Sequence, residues 1–117
     1  MGAKNLGAKN LIVHPAFGRR LRHYRDRIIA EGRPRVATKF VEATRVLIQQ
    51  LVENPRRGHP ARFEAPDLSD ILRSSVPAFP IFAVFYRWNR QRLTIITIEH
   101  TAQDLPARLA AIVANTN

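Results

Sequence analysis

The chain has no cysteine. That excludes a disulfide framework, a thiolate zinc site and a cysteine nucleophile. No apolar run approaches the roughly 20 residues of a membrane helix, and residues 1–10 lack the apolar stretch of a secretory signal. A cytoplasmic protein with no membrane partner is therefore expected. His14, His23, His59 and His100 lack the mutual spacing of a metal site, so neither metal nor cofactor is expected. Acidic residues are the other scarcity: 9 Asp plus Glu stand against 19 Lys plus Arg, a formal net charge of +10. Of the basic residues, 16 are arginine. A small protein this basic attracts a polyanion: nucleic acid, an acidic protein or a charged surface.

What remains is an ordinary globular composition, 45% hydrophobic and 24% charged over 117 residues, which suits one domain with its own core and excludes wholesale disorder. Gly2-Ala3-Lys4-Asn5-Leu6 is repeated once as Gly7-Ala8-Lys9-Asn10-Leu11, too little for a solenoid. The reading is a flexible extension over 1–7, one domain over 8–113 and a tail over 114–117.

Leu11-Ile12-Val13 is a short strand before a proline. His14 suits an N-cap and Pro15 the first helical turn. Phe17, Leu21, Tyr24 and Ile28 then form one helical stripe. Gly32 ends that helix and Pro34 opens a second, striped by Val36, Phe40, Ala43, Leu47 and Leu51 and ended by Asn54-Pro55. The two make a helical hairpin. Residues 55–70 read as an aperiodic loop. Three strands follow: 71–76, 80–88 and 92–100, the last with Leu93, Ile95, Thr97 and Glu99 on one face and Thr94, Ile96, Ile98 and His100 on the other. Short links make them an antiparallel meander. Residues 105–113 suit a short helix. The fold class is α+β: an N-terminal strand, a helical hairpin and a three-stranded meander, with the helices on one face of the sheet.

This order resembles the RelE/ParE superfamily of bacterial type II toxin–antitoxin toxins. The resemblance is carried by Val13-His14-Pro15-Ala16, by Leu51-Val52-Glu53-Asn54-Pro55-Arg56-Arg57-Gly58, by Leu72-Arg73, by Val84-Phe85-Tyr86-Arg87, and by Ile98-Glu99-His100 with Asp104 and Leu109. It spans roughly residues 8–112. The strand-end histidine with an aspartate four residues on is similar to the ParE branch. The resemblance implies a toxin neutralised by a cognate antitoxin, as a hetero-oligomer or beside a homodimer. ParE-like members bind DNA gyrase and are not enzymes, and operator DNA is met only through the antitoxin complex. RelE-like members cut mRNA at the ribosome.

Metal-free RNA cleavage needs a base, a proton donor and cations for the phosphorane. The candidates are Arg73, Arg87 and His100. The two tyrosines, Tyr24 and Tyr86, lie in apolar patterns and read as core. No lysine follows Lys39. His100 shares its strand face with Ile96 and Ile98, which suits a structural histidine bonded to Asp104 or to backbone. Arg73, the only charge in 71–80, either anchors a carboxylate such as Glu99 or contacts the target. The ParE-like, gyrase-binding reading is thus favoured. A ribosome-dependent endoribonuclease and a non-toxic basic binding module are the alternatives.

The strongest binding signal is the first helix and the link after it. Arg19, Arg20, Arg22, Arg25, Arg27, Arg33, Arg35 and Lys39 face only Asp26 and Glu31. A solvated face ordinarily mixes signs, and arginine pairs bidentately with carboxylates and phosphates. The seven arginines are the expected contact for an acidic antitoxin or another polyanion.

Overall fold

The computed structural model describes residues 10–114. The extension over 1–7 and, apart from Ala114, the tail over 114–117 lie outside the described residues. Strand β1 (Leu11–Val13) leads into helix α1 (Pro15–Ala30). His14 caps that helix: its Nδ1 accepts the Ala16 N–H at 3.0 Å. Gly32 then adopts φ +83°, which a residue without Cβ reaches at little cost, and the chain turns into α2 (Pro34–Glu53).

Residues 55–70 are more ordered than an aperiodic loop. They hold two 3-10 turns, Pro55–Arg57 and Pro66–Leu68, and a two-residue strand β2 (His59–Pro60). Backbone pairing of His59 with Arg73 and of Pro60 with Leu72 makes β2 an edge. A proline is tolerated there because an edge residue need not donate. The meander follows as β3 (Leu72–Val76), β4 (Phe79–Trp88) and β5 (Leu93–His100), then helix α3 (Leu105–Ala114). Among the described residues the sheet has five strands, in the order β1-β5-β4-β3-β2. β1 runs parallel to β5, and the other pairs are antiparallel.

The α1–α2 hairpin covers one face of the sheet. Phe40, Leu47 and Leu51 of α2 pack on Val84, Tyr86 and Ile98, with Phe17 and Leu21 half-buried against them. Fully burying each large apolar side chain stabilises the fold by about 1.5–3 kcal/mol. The helices do not all share that face. α3 lies against the other one, where Leu105 and Leu109 meet Ala83, Phe85 and Ile96. The reason is the pleat: residues 83 and 85 point away from the hairpin and need a cover of their own.

Candidate functional site

β4 and β5 set the positions of the candidate polar groups. Their pairing shifts register between Phe85 and Tyr86, where Phe85 faces Thr97 and Tyr86 faces Ile95. This bulge breaks the strict alternation expected for β5. Ile96 joins the α3-side core, whereas Ile98 stays with the hairpin-side core. His100 therefore does not share a face with Ile96. It pairs with Phe82, and the two rings meet edge-on at 5.3 Å. Its Nδ1 accepts the Ala102 N–H at 3.1 Å. The bond is to backbone, while Asp104 is turned toward the Ala107 N–H at 3.5 Å.

Arg73 and Arg87 lie elsewhere. Arg73 pairs with Phe85, and its guanidinium sits 5.9 Å from the centre of that ring. It does not hold Glu99. Arg87 pairs across the sheet with Thr94 and is tied to Asp70 and to the Asp67 carbonyl, both at 2.7 Å. Both arginines are on the α3 side of the sheet; His100 is on the hairpin side. Phe82, opposite His100, is five residues before Arg87 on β4, or roughly 17 Å along an extended strand. The structure brings two of the three candidate nuclease residues together and sets the third apart.

The partners of Glu99 are Arg20 and Arg108. Glu99 is fully buried, and a carboxylate in that state must be paired. Arg20 Nε reaches both carboxylate oxygens at 3.2 Å. The Tyr24 hydroxyl donates to Oε1 at 2.9 Å, the Thr97 hydroxyl donates to Oε2 at 2.7 Å, and Arg108 Nε stands 3.4 Å from Oε1. The Tyr24 oxygen in turn accepts from Arg20 Nη2 at 2.8 Å, from Gln103 Nε2 at 2.6 Å and from the His100 N–H at 3.1 Å. One network thus links α1, β5 and α3. Burial raises the Tyr24 phenol above its ordinary pKa, although the His100 N–H opposes that shift. For Arg20 the effect of burial is downward, but the bond and charge of Glu99 outweigh it and raise its pKa.

Arg20 is consequently a structural ion-pair residue, turned inward from the basic helix. Exposed pairs also form between Arg25 and Asp26 at 2.9 Å and between Arg33 and Glu31 at 3.6 Å. No carboxylate among the described residues is within ion-pairing distance of Arg19, Arg22, Arg27 or Arg35. These four are exposed.

Beside this surface opens a cleft of about 380 Å³ between the end of α1, the start of α2 and the Phe79–Phe82 end of β4. Its apolar walls are Ile28, Val36, Phe79 and Phe82, and Ile81 forms a lip that is 52% exposed. Tyr24, His100 and Gln103 supply polar groups; Arg27, Glu31 and Arg33 complete the lining. Neither Ile81 nor Gln103 stands out in the sequence. Glu99 does carry a signal, as a lone acid ending an otherwise uncharged strand. Among the described residues no group of three or more His, Cys, Asp or Glu gathers to hold a metal, and no helix is long and apolar enough to cross a membrane.

Residues 11–105 match the family model described as "ParE toxin of type II toxin-antitoxin system, parDE". The chain belongs to the ParE toxin family. The matched span of this ParE-family chain runs from β1 to the first residue of α3, and so includes the arginine-rich helix, the cleft and His100. Its fold is similar to a solved structure entitled "Chromosomal ParDE TA system from P. aeruginosa", at 16% identity and a TM-score of 0.65, covering 82% of this chain and 97% of that one. No curated protein matches the sequence.

Proposed function

We propose that this ParE-family toxin arrests growth by binding DNA gyrase, without a catalytic step of its own, and that a cognate acidic antitoxin neutralises it. The carrying observation is that Arg73 and Arg87 lie on the opposite sheet face from His100, with Arg87 half the length of β4 away. RNA cleavage needs its acid, base and cations around one phosphate, with proton-transfer partners within hydrogen-bond reach. Arg87 is held by Asp70, Arg73 lies over Phe85 and the His100 Nδ1 is occupied by the Ala102 N–H. Binding asks for none of that convergence, and the family match supports a toxin role. The exposed arginines Arg19, Arg22, Arg27 and Arg35 suit an acidic antitoxin. Operator DNA is reached in this reading through the antitoxin complex.

The test is a gyrase supercoiling assay run beside ribosome-dependent mRNA cleavage with the same purified protein. Supercoiling is expected to be inhibited, with no specific mRNA cuts. Specific cuts that vanish in His100→Ala, with gyrase untouched, overturn the reading in favour of an endoribonuclease.

A further inference from the structure

The cleft beside Ile81 combines two properties rarely found together on a solvated surface. Its walls are apolar, and its mouth carries Arg27 and Arg33. Ile81 is a large branched side chain left 52% exposed at the lip, and it extends the apolar lining of Ile28, Val36, Phe79 and Phe82 to the surface, so the site is a contiguous apolar patch and not one isolated side chain. A volume of about 380 Å³ is within the range of roughly 300–1,000 Å³ typical of ligand pockets. The polar groups inside are largely committed: Gln103 bonds Tyr24 and the His100 Nδ1 holds backbone. The interior therefore offers contact area more than hydrogen bonds. At the mouth Arg27 has no carboxylate partner among the described residues, and Arg33 meets Glu31 only at 3.6 Å between two exposed side chains. An exposed pair of that kind is worth little, so an incoming carboxylate can replace it.

We infer that this cleft seats one bulky apolar side chain from an acidic segment of the antitoxin, with Arg27 and Arg33 engaging carboxylates on either side of that anchor. The inference rests on the antitoxin reading above and assigns it a place. Charge selects the occupant: a second copy of this chain, at net charge +10, brings arginine against arginine, whereas an acidic segment brings the complement. A bulky anchor buried in a desolvated pocket is the kind of residue that carries most of an interface's affinity. His100 then serves recognition, as part of the cleft lining.

Two probes test this by calorimetry. One is the product of the open reading frame adjacent to this gene, tested as the candidate antitoxin. The other is a synthetic glutamate-rich peptide with a single central phenylalanine, paired with its Phe→Ser counterpart. The variants are Ile81→Asp and the double Arg27→Glu/Arg33→Glu. Ile81→Leu serves as rescue, and the charge-matched Arg90→Glu/Arg92→Glu on the β4–β5 turn as control. All the substituted residues are exposed, and unchanged thermal melts check the fold. Ile81→Asp and the cleft double variant are each expected to lose at least about tenfold in affinity, the scale of an interface hot spot. Ile81→Leu should bind as wild type, and the control should lose less than about threefold. The Phe→Ser peptide should bind more weakly than its parent. Equal binding of the two peptides, wild-type affinity in the cleft variants, or an equal loss in the control each overturns the inference. If the neighbouring protein fails to bind the wild type, the antitoxin reading falls, while the peptide pair still reports on the cleft.

Discussion

Glu99 shows how one side chain can fix three elements at once. With no solvent contact, its charge is balanced by Arg20 from α1 and Arg108 from α3, and the Tyr24 and Thr97 hydroxyls fill the remaining acceptor positions. Removing one member of a buried ion pair leaves the others uncompensated and costs about 3–5 kcal/mol. Glu99→Ala is expected to lose that amount in urea unfolding. Asp104→Ala, which removes only a long 3.5 Å contact to an exposed N–H, should lose under about 0.5 kcal/mol. His14 offers a second test at this scale. Burial, with some help from the Arg19 charge, lowers its pKa from the usual 6.5. The neutral ring is the form whose Nδ1 can accept the Ala16 N–H. As pH falls through the ordinary imidazole range, the unfolded chain takes the proton first, so stability drops until the folded pKa is passed. Full stability is present above that range. Melts between pH 7.5 and 5 should show a loss of up to about 1 kcal/mol, absent in His14→Asn, which caps without titrating.

Among the elements, the exit of α2 explains why an Asn-Pro…Gly sequence stands there. Pro55 is buried beneath Tyr86, whose hydroxyl donates to the Pro55 carbonyl at 2.7 Å and accepts the Gly58 N–H at 2.9 Å. A Cβ on Gly58 would overlap the Tyr86 oxygen and come within 2.8 Å of the Arg73 carbonyl. Gly58 has an ordinary extended backbone, φ −77°, so space rather than conformational freedom requires glycine. Gly58→Ala is expected to destabilise by about 1–3 kcal/mol, read as a lower urea midpoint, and Tyr86→Phe placed beside it should recover part of the loss by making room. Burial also raises the Tyr86 phenol above its ordinary pKa, against the opposing Gly58 N–H and the Arg57 charge. The helices and the meander were legible because each carries a period set by its own geometry, 3.6 or 2. β2 was not, since two residues have no period. The bulge in β5 was not either, because an uninterrupted run of Ile and Thr reads the same with or without a register shift.

On the scale of the whole molecule, the surplus of arginine is visible in composition, but its distribution is a property of the fold. Seven arginines between residues 19 and 35 look alike as a string. The structure gives Arg20 a buried carboxylate and Arg25 and Arg33 exposed partners, and among the described residues it places no carboxylate beside Arg19, Arg22, Arg27 or Arg35. The cleft had no sequence signature at all. It exists because residues near 28, 36, 81 and 103 converge from four separate stretches of chain. The same distance between neighbours in space and neighbours in sequence bears on β1. Leu11 meets Leu93 and Val13 meets Ile95, so everything between them must be made before that pairing can form. The hairpin and the meander close over short loops. β1 must wait for a partner about 80 residues further along the chain, and loop closure of that length is slow to be repaid. During synthesis, therefore, three exposed apolar residues remain without their strand partner until the end of the sheet has left the ribosome. All residues of the α1–α2 hairpin are made by position 53, whereas the β1–β5 pairing has no partner strand until residues 93–95 exist.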